Sequence, residues 1–189
     1  MDTAHVIEAL QRLPLHPYDD VAPRAEGPPP AGGLYAWWQT AGALPGVPGL
    51  RPHTGDPGWE LLYVGIAPRG PSSRGTLRRR LASHHGASIG RSTFRMTLTA
   101  LLWKREDWSP SWTDRPTLAP QDLAALAAWQ REHLAVQWVE HPQPWAVERE
   151  VIEAMCPPLN RDHNRGHPAH TAVGLARATL RQAAQANAA

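Results

Sequence analysis

The segment Leu61–His85, LLYVGIAPRGPSSRGTLRRRLASHH, constrains this chain more than any other stretch. A short apolar strand ending in Tyr63-Val64-Gly65 runs through a Pro/Gly/Ser loop into an arginine-rich helix. Thr76, just after Gly75, is a good N-cap residue, and the helix continues to about His85. At 100° per residue, Leu77 and Leu81 define its buried side. Arg80 and His84 lie at the edge of that side, one turn apart, while Arg78 and Arg79 point elsewhere. Such a segment presents a hydroxyl beside fixed positive charge, and the planar fork of an arginine matches two phosphate oxygens. The pairing suits phosphate chemistry.

Charge distribution sharpens this reading. The net charge is only +2, which says little about partners, but no Asp or Glu occurs between Leu61 and Arg105. That interval holds Arg69, Arg74, Arg78, Arg79, Arg80, Arg91, Arg95, Lys104 and Arg105. The run reads either as a surface for phosphate contacts or as a solvated basic face. The 189 residues suit one domain with embellishments. The absence of a long apolar run, and an N-terminus with acids where a signal peptide has a basic region, point to a soluble cytoplasmic protein. The single cysteine, Cys156, rules out an intrachain disulfide framework and reads as a packed structural thiol.

Residues 4–13 carry Val6, Ile7, Leu10 and Leu13 at helical spacing, and a connector rich in Pro, Asp and Gly occupies 14–32. Strands are expected at 33–38, 61–65 and 134–139. Between the first two, residues 40–58 hold five glycines and four prolines and form an irregular excursion. Ser92 caps a helix over 92–102, residues 107–120 are a connector, and Gln121–His133 is an amphipathic helix. Trp145–Met155 is a helix stopped by Pro157-Pro158, and an alanine-rich helix covers 171–186.

On a helical wheel, Val147, Val151, Ile152, Ala154 and Met155 share one broad side, and Glu148 falls near its middle. Glu150 and Glu153 fall outside it. A carboxylate on an apolar face requires a compensating charge, so Glu148 reads as the partner of an arginine or as a metal ligand.

Tyr35 in Gly33-Leu34-Tyr35, Tyr63 in Tyr63-Val64-Gly65, Arg80 followed by His84, Glu148 on a helix, and Asn160 closing Pro157-Pro158-Leu159-Asn160 occur in one order. This series resembles the GIY-YIG nuclease superfamily over roughly residues 33–160. The resemblance implies an α+β fold, a small three-stranded antiparallel sheet flanked by helices. It divides the chain into an N-terminal helix and connector (1–32), a nuclease-like domain (33–160) with insertions at 40–58 and 92–133, and a C-terminal loop and helix (161–189).

The resemblance also implies roles. Tyr35 and Tyr63 would flank a scissile phosphate, with Tyr35 favoured to help deprotonate the attacking water. Arg80 would stabilise phosphate charge, His84 would support the site, Glu148 would hold one divalent metal, Mg²⁺ or Mn²⁺, and Asn160 would order the site. A lysine that some relatives carry soon after the second tyrosine is missing, with Arg69 and Arg74 as substitutes. A tyrosine is a weak base at its ordinary pKa, so these roles require nearby positive charge to lower it.

The expected activity is metal-dependent hydrolysis of phosphodiesters, with DNA favoured and Arg69, Arg74, Arg78, Arg79, Arg91 and Arg95 contacting nucleic acid. The alternatives are a non-cleaving nucleic-acid-binding module of the same fold, and an interaction protein whose basic surface docks an acidic partner. Sequence preference would come from the insertions, the tail or a protein partner. Trp108 and Trp112 are candidates for stacking on bases, and Arg177 and Arg181 share one face of the last helix as a phosphate contact or a solvated surface. Asp162, His163, His167 and His170 have spacing compatible with zinc, but their loop setting speaks against it.

Overall fold

The computed structural model describes residues 2–22, 27–85 and 89–187, so residues 23–26 of the connector lie outside it. In chain order the elements are α1 (Thr3–Arg12), β1 (His16–Pro17), a 3₁₀ turn (Tyr18–Val21), β2 (Gly33–Thr40), β3 (Trp59–Ala67), α2 (Leu77–His85) and α3 (Thr93–Leu102). There follow β4 (Pro110–Trp112), β5 (Pro116–Leu118), α4 (Pro120–His133), β6 (Leu134–Glu140), α5 (Pro144–Met155) and α6 (His170–Ala186). Among the described residues no helix is long and apolar enough to cross a membrane.

The main sheet is antiparallel in the order β1-β6-β2-β3. The three expected strands are present and longer than their apolar cores. The fourth, His16–Pro17, is only two residues and contains proline, which leaves no alternation to read and suits a sheet edge. The segment read as a connector at 107–120 contains a second ribbon, β4 paired with β5.

Central strand β2 is buried on both faces, which fixes the layering. Leu34, Ala36 and Trp38 face Val6 and Leu10 of α1 and Val151, Ile152 and Met155 of α5. Tyr35 and Trp37 face Leu77 and Leu81 of α2 and Phe94 and Leu98 of α3, with the Trp37 ring stacked on Phe94 at 5.2 Å. Alternation along one strand therefore serves two cores. Gly33 has no room for a side chain, because a Cβ would overlap the Val139 carbonyl oxygen and Leu77.

Local signals set the helix ends. Asp2 accepts from the His5 N–H at 2.9 Å, Thr76 Oγ1 from the Arg79 N–H at 3.3 Å, and Ser92 Oγ from the Arg95 N–H at 3.1 Å. Helix α5 ends with Cys156 in the left-handed region ahead of Pro157. The last helix packs Leu180 on Met96 and Ala100 of α3. Covered by the sheet on one side and by α6 on another, α3 is buried along most of its length.

That double cover corrects two expectations. Arg95 is 1% exposed and cannot contact nucleic acid, and Trp108 at 6% belongs to the core rather than to a stacking surface. We predict that Gly33→Ala, whose Cβ meets backbone that cannot yield cheaply, lowers unfolding free energy by about 1–3 kcal/mol or more, read as a shift of the urea midpoint at unchanged slope.

Candidate active site

The β2–β3 hairpin sets the two tyrosines. Tyr35 pairs with Gly65, and Trp37 pairs with Tyr63. Tyr35 and Tyr63 are thus diagonal neighbours on one face, ring centroids 6.3 Å apart. Gly65 exists to admit the Tyr35 hydroxyl, which a Cβ at that position would overlap. The Tyr35 ring is fully buried, whereas Tyr63 is half-buried and lines an open cleft of about 630 Å³.

Helix α2 delivers the partners of the Tyr35 hydroxyl. Arg80 Nε donates to it at 3.1 Å, and the Arg80 charge also acts on the neighbouring Tyr63. His84 Nε2 lies 2.8 Å from the same hydroxyl, and His84 Nδ1 lies 2.6 Å from Ser92 Oγ. The spacing of Arg80 and His84, one turn apart, lets both reach one atom. Sequence placed His84 at the edge of the apolar side, and it is fully enclosed, packed edge-on against Phe94 and Trp37.

Glu148 and Asn160 close the cleft beside Tyr63. Asn160 works on the backbone: its Oδ1 accepts from the Val64 N–H at 2.9 Å and its Nδ2 donates to the Val64 carbonyl at 2.8 Å. It therefore satisfies the free edge of β3 as a neighbouring strand would, and pins the strand carrying Tyr63. Glu148 is half-buried and makes no hydrogen bond or ion pair with any described residue.

The charges act in competition. Burial raises the Tyr35 pKa, the neighbouring Tyr63 adds to this, and Arg80 and Arg69 oppose it without prevailing. Tyr63 is raised for the same first reason, again against Arg80 and Arg69. The expected lowering by arginine is present, but desolvation outweighs it, so both phenols are neutral at rest. His84 is pushed well below the ordinary histidine range by burial, then by Arg80, Arg95 and Arg69, and is a neutral imidazole. Glu148 is raised by burial, countered by His163 and Arg69.

The structure thus brings Tyr35, Arg80 and His84 into one hydrogen-bonded cluster with Tyr63 beside it, and Glu148 and Asn160 line the cleft with Tyr63. Of the arginines expected to meet nucleic acid, Arg69, Arg74 and Arg79 line an adjoining cleft of about 430 Å³ with Arg80. Arg91 is exposed, Arg78 donates its Nε to the Pro28 carbonyl at 2.8 Å, and Arg95 is interior beside Tyr18 and His84. Both ring nitrogens of His167 are engaged: Nδ1 accepts from the Ala169 N–H at 3.0 Å, and Nε2 lies 3.3 Å from the Gly49 carbonyl oxygen. Among the described residues no three His, Cys, Asp or Glu side chains are placed to hold a metal together. Sequence reasoning missed Ser92 as the partner of His84, and Asp162 as a residue of the cleft that Glu148 lines. An N-cap serine gives no sign of what else its hydroxyl meets.

A family model described as the GIY-YIG catalytic domain matches residues 33–182. Comparison with curated proteins and with solved structures returned no match.

The depressed His84 pKa predicts the sign of a pH effect. The unfolded chain binds the proton that the folded chain refuses, so this contribution is complete above pH 6.5 and is lost as pH falls below it. Unfolding free energy should drop on acidification from pH 6.5 toward about pH 5, by at most about 1.4 kcal/mol per unit from this group. His84→Gln should flatten that slope in denaturant titrations across the same interval.

Proposed function

The chain belongs to the GIY-YIG family of nucleases, and from that premise we propose that it is a divalent-metal-dependent endonuclease that hydrolyses phosphodiester bonds in DNA. The observation that carries this reading is Glu148. It is a half-buried carboxylate without a partner among the described residues, facing Tyr63 and within electrostatic reach of Arg69 and Arg80. An uncompensated buried carboxylate is costly, and a hard cation is the compensation that the open cleft admits.

The donor set fits a cation of the Mg²⁺ or Mn²⁺ kind. Such ions are held by one or two carboxylates together with water and phosphate oxygens, rather than by a complete protein cage. A metal held by Glu148 would supply charge neutralisation at the phosphate.

The remaining tasks fall to the chain's own groups. Arg80 is held against the Tyr35 hydroxyl through its Nε, and its other N–H groups would fork onto two phosphate oxygens as negative charge builds. Tyr63, at the cleft, orients the attacking water. Tyr35, favoured from the sequence to help deprotonate the water, is enclosed away from the cleft, and it acts instead through Arg80 and His84. Neither tyrosine is ionised at rest, so in the resting site Tyr63 serves to orient the water, and the positive charges of Arg80 and Arg69 are what oppose the desolvation of its phenol. Asn160 keeps Tyr63 at the cleft through the Val64 backbone.

Incubation with plasmid DNA, single-stranded DNA and RNA in Mg²⁺ or Mn²⁺ tests the reading. Wild-type protein should cut DNA only with metal, and Glu148→Gln and Arg80→Ala should each slow cutting by about 10²-fold or more. Tyr63→Phe should slow it while leaving binding in place. A folded wild type that binds DNA but never cuts would overturn the enzymatic reading in favour of a binding module.

A further inference from the structure

Among the described residues, several arginines outside the catalytic cleft are engaged in ion pairs. Arg12 pairs with Glu8, Arg105 with Glu106, Arg115 with Asp114, Arg131 with Asp19 and Arg149 with Glu153. Arg161, Arg177 and Arg181 make no ion pair or hydrogen bond with any described residue, although they stand close enough to influence one another.

Arg177 has the most unusual position of the three. The buried residues of α6 are Val173, Leu180 and Ala184, and Arg177 falls between them, four residues after Val173 and three before Leu180. This is a place on the apolar stripe where a leucine would pack. Instead a half-buried guanidinium enters the cleft that Tyr63 and Glu148 line. Burial, then Arg181 and Arg161, push its pKa below the ordinary arginine value, and the opposing pull of Asp162 in the same cleft does not offset them. Arginine keeps its proton under such conditions, and the crowding is relieved by an anion.

Helix α6 is also shaped for a second member of the group. The Arg161 guanidinium lies over Gly174, where a Cβ would stand 3.1 Å from it. Glycine inside a helix is destabilising relative to alanine, and here its missing side chain leaves the space that Arg161 occupies. Arg181, one turn beyond Arg177, extends the same face.

We propose that Arg177, flanked by Arg161 and Arg181, forms a second backbone-phosphate site, which holds a phosphate next to the scissile one on the Glu148 side of the cleft. Arg69, Arg74 and Arg79 border the cleft that adjoins Arg80. The nucleic-acid strand thus runs between two arginine groups with Tyr63 and Arg80 in the middle. This inference rests on the nuclease reading for its choice of ligand.

The test is fluorescence anisotropy of a short labelled DNA duplex with the full chain, without divalent metal so that nothing is cut, over a series of salt concentrations. Each phosphate contact contributes about 0.9 to the slope of log affinity against log salt. Arg161→Gln/Arg177→Met/Arg181→Gln should therefore reduce the slope by about 2–3, and with metal present it should raise KM for cleavage. Arg12→Ala, on an exposed pair elsewhere, should match wild type in both measurements. Methionine fills the apolar stripe, so Arg177→Met alone should melt no lower than wild type and lower the slope by about 1. If the triple variant does not fold, this single variant and the exposed pair Arg161→Gln/Arg181→Gln decide the matter. Folded variants that keep the wild-type slope, with a wild type that binds and cuts DNA, overturn this inference alone. A wild type without salt-dependent DNA binding overturns it together with the nuclease reading.

Discussion

The Tyr35 hydroxyl is a polar atom placed where no water reaches it, and the surrounding structure is arranged to satisfy it. An unpaired buried hydroxyl would cost about 1–3 kcal/mol. Arg80 and His84 meet that need from α2, and Ser92 in turn meets His84 from the N-cap of α3. A chain of hydrogen bonds thus joins the sheet to two helices across a core otherwise filled by Trp37, Phe94, Leu77 and Leu81. Gly65 makes the arrangement sterically possible, and the hairpin register brings Gly65 opposite Tyr35. A slip of one residue would reverse both side chains and disperse the cluster.

The same burial sets the chemistry. Desolvation keeps the two phenols protonated and the imidazole neutral, even with Arg80 and Arg69 nearby. The arginines keep their charge, and Glu148, raised by burial against the pull of His163 and Arg69, stands at the cleft without a hydrogen bond or ion pair among the described residues. The site is therefore an arrangement of fixed positive charge and one free carboxylate around neutral hydroxyls. On the proposed nuclease reading, a phosphate and a cation would complete its charge balance. Asn160 contributes rigidity, because an amide bonded to both backbone atoms of Val64 removes the freedom an edge strand would have.

Much of this was legible in the sequence because local rules governed it. Thr76 and Ser92 cap the helices they were expected to cap, the three principal strands lie where alternation placed them, and Glu148 projects from α5 into a cleft. What escaped depended on contacts between distant residues. Arg95 sits in a basic run that reads as surface, but α3 is covered on more than one side, which no single helical wheel reveals. Trp108 lies in a polar stretch and is drawn into the core by the ribbon that Pro110 and Pro116 begin. Arg177 shares a helix face with Arg181 in projection, yet it is the apolar stripe of α6 around it that gives the position meaning. The pKa directions escaped too, since sequence shows the arginines near a tyrosine but not how dry the tyrosine is.

The account stands on Tyr35 acting as the junction that holds Arg80 and His84 as one unit. The most direct test is a double-mutant cycle on DNA cleavage with Tyr35→Phe, Arg80→Ala and the combined variant, each checked for folding. If the hydroxyl works by holding the arginine, its removal should matter little once Arg80 is gone. The combined variant should then lose hardly more activity than Arg80→Ala alone. Losses that multiply, with the two changes acting independently, would contradict the account.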